Sequence, residues 1–295
     1  EIGTVRIGVM LRHLDQHGGG VLVYTRNLLR ELLALEAGHE FVLMYSDSKH
    51  LGTHGSRDHV TEVARAAPHR VLWDQVVAPG LARETGVDVL FNPKFSMPLL
   101  STCPTVWVSH GMYWYIESTW SPWKDRLNHR LLIPRYAERA EKIIAVSDTT
   151  RDGVIEYLGQ EPEKIDTVRL GVGESFFDPV PRERLEETRR RHGLPDRFFF
   201  YVGQIYPPKN FGRLVRAFAR VGPELDLSLV VAGQHTSQCE DEIALIDELG
   251  VSERVVWTGW VDHGELPAFY RLAEALVMPS LYEACPSPPL EAMAS

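Results

Sequence analysis

Cysteine is scarce and scattered. Cys103, Cys239 and Cys285 are odd in number and far apart, which excludes a disulfide framework and a paired-cysteine zinc site. That usage fits a reducing, cytoplasmic setting. Long apolar runs are missing too: none approaches the roughly 18–20 residues a membrane-spanning helix needs. The chain opens on a strand-like run, Val5-Arg6-Ile7-Gly8-Val9-Met10, with no basic segment and apolar core ahead of it, so no signal peptide is expected. Positive charge is in deficit, at 31 basic against 40 acidic residues and a net charge of −9. This balance excludes a general polyanion binder, and no nucleic-acid partner is expected. No Gly-x-Gly-x-x-Gly run follows the first strand, which removes the main support for a nicotinamide enzyme.

What remains is an ordinary globular composition, 44% hydrophobic and 24% charged, over 295 residues. That length suits two domains better than one core. Apolar β-rich runs at 6–11, 40–45, 87–91, 105–108 and 142–146 alternate with helical stretches at 21–35, 81–85, 124–141 and 149–158. A βαβα rhythm of this kind predicts a mostly parallel sheet covered on both faces. A charged stretch, Arg182-Glu183-Arg184-Leu185-Glu186-Glu187, interrupts the rhythm, and a second βαβ series begins at Phe198. The sequence therefore predicts an α/β protein with a Rossmann-like domain over 1–175, a linker and exposed helix over 176–196, and a second Rossmann-like domain over 197–295.

Four segments carry candidate chemistry. Gly18-Gly19-Gly20 lies between the first strand and first helix, where glycine lets backbone approach a ligand and the helix start presents N–H groups to an anion. His110, in Ser109-His110-Gly111, follows a strand at the edge where open α/β sheets bind ligands. Lys209 opens a helix after Tyr201-Val202-Gly203-Gln204 and a proline-marked turn, a suitable place for a diphosphate. Glu283 and Glu291 stand eight positions apart across a turn in which Ser287 is expected to cap a helix, with Pro288 at its first position. Carboxylates suit sugar and ribose hydroxyls because each accepts two hydrogen bonds. Taken alone, each segment also has a plain explanation: a flexible turn, a strand-end histidine, a surface lysine, a capped helix beside incidental acids.

Their order along the chain is more informative. The segment from Glu283 to Glu291-Ala292-Met293-Ala294 resembles the signature of retaining glycosyltransferases of family 4. So do Val202-Gly203 through Lys209-Asn210, Ala145-Val146-Ser147-Asp148, Gly171-Val172-Gly173 and Thr258-Gly259-Trp260-Val261, and the landmarks run in family order through the whole chain. The resemblance implies a GT-B fold, two Rossmann-like domains facing across a cleft. It implies transfer of a hexose-type sugar from a UDP- or GDP-linked donor to a glycan or lipid-linked acceptor, as in synthesis of cell-surface polysaccharide or glycoconjugate. It implies that Lys209 neutralises the donor diphosphate, that Glu283 contacts the transferred sugar and Glu291 the ribose, and that His110 lies close to that sugar. By the same resemblance Gly18, Gly19, Gly203, Gln204, Gly259, Val261 and Ser287 border the donor. No metal or other cofactor is implied, and no Asp-x-Asp motif is present.

The sequence departs from the family pattern in places. Gln204 and Pro208 stand where an arginine is common, Ala284-Cys285-Pro286 replaces a glycine-aromatic-glycine, and Pro286, Pro288 and Pro289 delete three backbone donors. A family member would continue past Ser295, so the sequence is expected to be C-terminally truncated, with weak transfer by these residues alone. A non-catalytic nucleotide-sugar-binding GT-B protein is the alternative. Trp107, Trp114, Trp120 and Trp123 precede a basic stretch with Lys124, Arg126, Arg130, Arg135 and Arg139. They read as core aromatics beside a solvated helix, as a sugar platform, or as a peripheral contact with the inner membrane surface near a lipid-linked acceptor.

Overall fold

A computed structural model describes residues 3–15, 19–35, 38–54, 57–234 and 239–295. They form two compact units, Glu1–Leu170 and Gly171–Ser295, each built on its own parallel sheet.

The first unit contains strands β1 (Arg6–Met10), β2 (Glu40–Tyr45), β3 (Val60–Ala64), β4 (Val89–Asn92), β5 (Thr105–Ser109), β6 (Lys142–Ala145) and β7 (Ile165–Thr167). They lie in the order β3-β2-β1-β4-β5-β6-β7, so the direction of winding reverses between β1 and β4. Alternate side chains of β1 go to opposite layers. Val9 and Leu11 pack with Leu29 and Leu33 of helix α1 (Gly20–Ala34), while Met10 packs with Trp73 and Leu81 on the other face. Burying each such side chain stabilises the unit by roughly 1.5–3 kcal/mol. Between them, Gly8 leaves no room for a side chain, since a Cβ there would lie 2.9 Å from Met44 and Val87.

The remaining helices of this unit are α2 (Arg70–Leu72), α3 (Ala78–Glu84), α4 (Tyr113–Ile116), α5 (Trp123–Arg139) and α6 (Asp148–Leu158). Helix α6 has a sequence-coded start and stop. Ser147 accepts from the Thr150 N–H at 3.1 Å, worth about 1 kcal/mol, and Gly159 ends the helix at φ 61°. Strands β3 and β7, absent from the sequence expectation, are short edge strands (Val-Thr-Glu-Val-Ala and Ile-Asp-Thr) whose polar residues blur the apolar signal.

The second unit holds β8 (Phe198–Val202), β9 (Ser228–Ala232), β10 (Val255–Gly259) and β11 (Ala275–Leu276) in the order β10-β9-β8-β11. Its helices are α7 (Arg182–His192), α8 (Phe211–Val221), α9 (Glu240–Glu248), α10 (Leu266–Leu272) and α11 (Ser287–Ala294). Phe211, Leu214, Val215 and Phe218 form one buried stripe on α8. The stretch expected as a linker belongs to this unit. Phe176 and Leu194 are buried in its core, and α7 is held to the α10 region by a His192–Phe269 ring contact and an Arg191–Glu265 ion pair. Only the outer face of α7 is the solvated surface its charge pattern indicates.

The tryptophan group divides. Trp107 and Trp114 are core residues, whereas Trp123 is 63% exposed. Among the described residues, no helix is long and apolar enough to cross a membrane.

Candidate functional site

At the carboxyl edge of the second sheet, three successive strands reach glycines with positive φ: Gly203 after β8 (135°), Gly233 after β9 (148°) and Gly259 closing β10 (68°). The Gly203 N–H donates to Ala232 O at 2.9 Å and the Gly233 N–H to Gly259 O at 2.8 Å. A Cβ on Gly233 would fall 2.1 Å from the Gly203 carbonyl oxygen, so only glycine allows this approach. The result is an edge of bare backbone where parallel sheets bind ligands. Gly233 escaped the sequence reading. The signal was a glycine directly after a buried strand, the same one that marks Gly203.

From Gly203 the chain passes exposed Gln204, then a 3₁₀ turn over Pro207–Lys209, and enters α8 through Asn210 at φ 56°. The loop after β11 is fastened to this turn by two bonds. Asn210 Nδ2 donates to Pro279 O at 3.0 Å, and the Leu281 N–H donates to Pro208 O at 2.8 Å. This brings Glu283 onto Lys209, with Nζ 2.5 Å from Oε1 and the side chains only 12% and 21% exposed. Lys209 Nζ also lies 5.5 Å from the Tyr206 ring centroid. The ammonium is thus held at the sheet edge, beside the start of α8, by a carboxylate from the other end of the unit.

Glu291 takes a different position. It is 5% exposed on α11, where Oε2 accepts from Tyr270 Oη at 2.8 Å and Oε1 accepts from His263 Nε2 at 2.9 Å. Burial and the adjacent carboxylate push the Tyr270 hydroxyl well above its ordinary range. Helix α11 begins at Ser287, with Pro286 at the cap and no side-chain capping bond, which corrects the expected cap by Ser287. Pro288 and Pro289 fall in the first turn, where the helix itself leaves N–H groups unused, so they fit without breaking it. Val261 is buried in the core, while Trp260 is 57% exposed. Neither Tyr270 nor His263 stood out in the sequence, because their role depends on α11 packing against α10.

The remaining sequence-selected residues belong to the first unit. Gly18 lies outside the described residues. Gly19 precedes α1 at φ 106°, with open space where a Cβ would stand. His110 follows β5, and its Nε2 lies 2.9 Å from Pro93 O. A carbonyl only accepts, so Nε2 carries the proton and Nδ1 is the ring's acceptor when the imidazole is neutral. It is neutral at pH 7, because burial lowers its pKa to about 4. Tyr24 and Phe95 hold the ring edge-on, at centroid distances of 4.9 and 5.4 Å.

Three basic residues missed by the sequence reading share this edge. Arg12 and His13 follow β1, and Lys94 follows β4, on either side of the reversal in strand order. Arg12 forms a bidentate pair with Asp74, Nε to Oδ1 at 2.9 Å and Nη2 to Oδ2 at 3.2 Å. His13 donates from Nε2 to Thr25 Oγ1 at 2.7 Å, since the hydroxyl proton is spent on Val21 O. Burial, with Lys94, Arg12 and His110 nearby, lowers the His13 pKa to about 3. Burial and the adjacent Arg12 bring Lys94 down to about 8. The common signal was a basic residue just past a parallel strand.

Residues 18–176 match the family model for Glycosyltransferase Family 4, and residues 185–295 match that for glycosyl transferases group 1. The serotype-specific mannosyltransferase WbdA of Escherichia coli is 32% identical over 161 residues, which are 53% of this chain and 20% of that protein. The 2-deoxystreptamine glucosyltransferase of Streptomyces kanamyceticus is 30% identical over 176 residues, 57% of this chain and 45% of the relative. The chain thus spans a fifth of the first relative's length and less than half of the second's. The crystal structure of Anabaena HepE in complex with UDP and glucose superposes with a TM-score of 0.70 at 16% identity, covering 98% of this chain and 78% of that one. At that identity the likeness establishes the fold, which is GT-B.

Proposed function

The chain belongs to glycosyltransferase family 4, and we propose that it moves a hexose-type sugar, with retention of configuration, from a UDP- or GDP-linked donor to a glycan or lipid-linked acceptor. The observation that carries this reading is the Lys209–Glu283 pair, which joins two distant motifs at the glycine edge of the second sheet. A nucleoside diphosphate there gains a full positive charge from Lys209, bare backbone at Gly203, Gly233 and Gly259, and the start of α8. The ammonium stabilises charge developing on the leaving diphosphate, the task a divalent ion performs in other transferases, so the reaction needs no metal or other cofactor. Glu283, released from Lys209 by the incoming phosphates, accepts from hydroxyls of the transferred sugar. Glu291, oriented by hydrogen bonds from His263 and Tyr270, accepts from the ribose diol.

In the first unit, neutral His110 offers Nδ1 to a hydroxyl of the transferred sugar. The names of relatives, a mannosyltransferase and a glucosyltransferase, support a hexose, and the HepE complex with UDP supports a nucleotide donor. The exposed Trp123 and the basic residues following it support an acceptor met at a membrane surface, with the protein peripheral to the cytoplasmic face.

Titration calorimetry of the purified chain against UDP, GDP and their hexose derivatives tests this reading. One base and one sugar are expected to bind tightly, without added metal and unchanged by EDTA, and Lys209→Ala is expected to weaken the diphosphate tenfold or more. Indifference of the chain to every nucleotide in the panel would refute the proposal.

A further inference from the structure

The first unit carries a cavity of about 510 Å³ at the carboxyl ends of β1, β2 and β3. This volume lies within the range of small-molecule sites, roughly 300–1,000 Å³. Arg12, Arg65, His69 and Arg70 line it together with Asp15 and Asp47.

The charges divide into spent and unspent. Arg65 is committed to Glu84 through a bidentate pair at 3.0 and 2.8 Å. Arg12 turns Nε and Nη2 to Asp74 and keeps Nη1 outside that pair. The Arg70 side chain makes no hydrogen bond or ion pair with the described residues, and it is exposed in the cavity wall. Arg70 lies near Lys94 on the neighbouring strand end, whose proton affinity is lowered by burial and by the Arg12 and Arg70 charges, against the opposing pull of Asp74.

The acids are compensated from outside. Lys49 Nζ lies 3.4 Å from Asp15 and 3.0 Å from Asp47. Burial alone would raise the Asp15 carboxyl, but hydrogen bonds from Ser46 and His50, and the Lys49 charge, hold it below its ordinary value. Asp47, with its side chain 43% exposed, keeps acceptor capacity for hydroxyl groups. One wall of the cavity therefore offers guanidinium groups, and another offers carboxylate oxygens.

We infer that this cavity binds an anionic sugar, its phosphate or carboxylate on Arg70 and the free Nη1 of Arg12, its hydroxyls on Asp15 and Asp47. This deepens the transferase reading, on which it rests only for naming the bound sugar as the acceptor or its terminal residue. An arginine pair is the matched recogniser for a planar carboxylate or a phosphate, through parallel N–H donors.

The test uses the full chain with saturating UDP or GDP, so that the donor site is filled. Calorimetry then compares glucose 6-phosphate, glucuronate and neutral glucose as probes. At least one anionic sugar is expected to bind tenfold or more tightly than glucose, and the stronger of the two identifies phosphate or carboxylate as the anchor. Arg70→Ala is expected to weaken that binding at least tenfold, while Arg70→Lys restores part of it and nucleotide affinity stays unchanged. Arg70 is the residue to change, because loss of Arg12 would strand the buried Asp74 and destabilise the unit. Equal affinity for glucose and both anionic sugars, or an Arg70→Ala chain that binds as well as the parent, overturns the inference. Arg70-dependent binding in a chain that takes no nucleotide would uphold the cavity and remove the transferase reading.

Discussion

Lys209 Nζ and Glu283 Oε1 stand 2.5 Å apart although 74 positions separate them in the chain. The two residues come from the loops after β8 and β11, which are neighbours in the sheet, so their meeting reports that this pair of strands is in register. On the proposed reading it also sets up a competition, since a donor diphosphate and Glu283 would claim the same ammonium. A largely buried pair of this kind is net stabilising only if each partner stays satisfied.

The competition makes a double-mutant cycle informative. Lys209→Ala leaves Glu283 without its counter-charge, and the second unit is expected to lose about 1–3 kcal/mol of stability. Adding Glu283→Gln should recover most of that stability and none of the transfer rate, which Lys209→Ala lowers by roughly 10²–10³. Denaturant melts and initial rates on all four proteins check this. Recovery of rate along with stability would show that Lys209 acts on the fold and not on the diphosphate.

The glycine edge separates a steric requirement from a conformational one. At Gly233 a Cβ would sit 2.1 Å from a backbone carbonyl oxygen that cannot swing away. At Gly259 the φ of 68° is strained for other residues, but the space is open. Gly259→Ala is expected to cost about 1–2 kcal/mol, whereas Gly233→Ala should splay β8 from β9 and abolish nucleotide binding. Melting temperature and calorimetry on the two variants decide the matter; equal behaviour would mean that the close approach of Gly203 and Gly233 is dispensable.

Much of this was legible in the sequence, and the limits have physical causes. The apolar runs at 40–45 and 142–146 are local signals, readable because strand burial acts over a few residues. Lys209 and Glu283 were selected one at a time, but their contact depends on the bonds from Asn210 to Pro279 and from Leu281 to Pro208, which no local pattern encodes. Ser287 went wrong by one position, since Pro286 supplies the helix entry that a serine side chain otherwise provides. The 176–196 stretch looked like a linker because its charges dominate its composition. Only Phe176, Thr188 and Leu194 are fully buried, too few and too widely spaced to register as a periodic face.

Acid should loosen the first unit before carboxylate titration does. His13 and His110 have pKa values near 3 and 4 in the folded chain against 6.5 for the free side chain. Between those limits the unfolded chain binds more protons than the folded one. Stability is therefore full above pH 6.5 and falls as pH drops, by roughly 2 kcal/mol per histidine at about pH 5. Trp73, Trp107 and Trp114, all buried in this unit, make intrinsic fluorescence a suitable probe. His13→Gln keeps a donor for Thr25 and cannot titrate, so its melts should show about half the loss between pH 7 and 5; a profile identical to the parent's would exclude His13 as a contributor.

Helix α5 carries the last prediction. Trp123, Leu127 and Leu131 recur every four residues and are 63%, 51% and 51% exposed, so they form one apolar stripe on a solvated helix face. Lys124, over the Trp123 ring at 5.6 Å, and Arg130, which forms no ion pair among the described residues, border it. An apolar stripe with basic flanks is the pattern of a helix lying in a membrane interface, where each basic residue near an anionic surface adds about 1 kcal/mol. The full chain is expected to sediment with vesicles containing anionic phospholipid, less with neutral vesicles, and less again as salt rises. Changing Trp123, Leu127 and Leu131 together to serine should abolish sedimentation and leave the melting temperature nearly unchanged, because these side chains pack against nothing that folding requires. Lys124→Glu with Arg130→Glu should remove the preference for anionic lipid while sparing residual apolar binding. Self-association of the parent chain in the absence of lipid, lost in the serine variant, would instead assign the stripe to contact between copies of the protein.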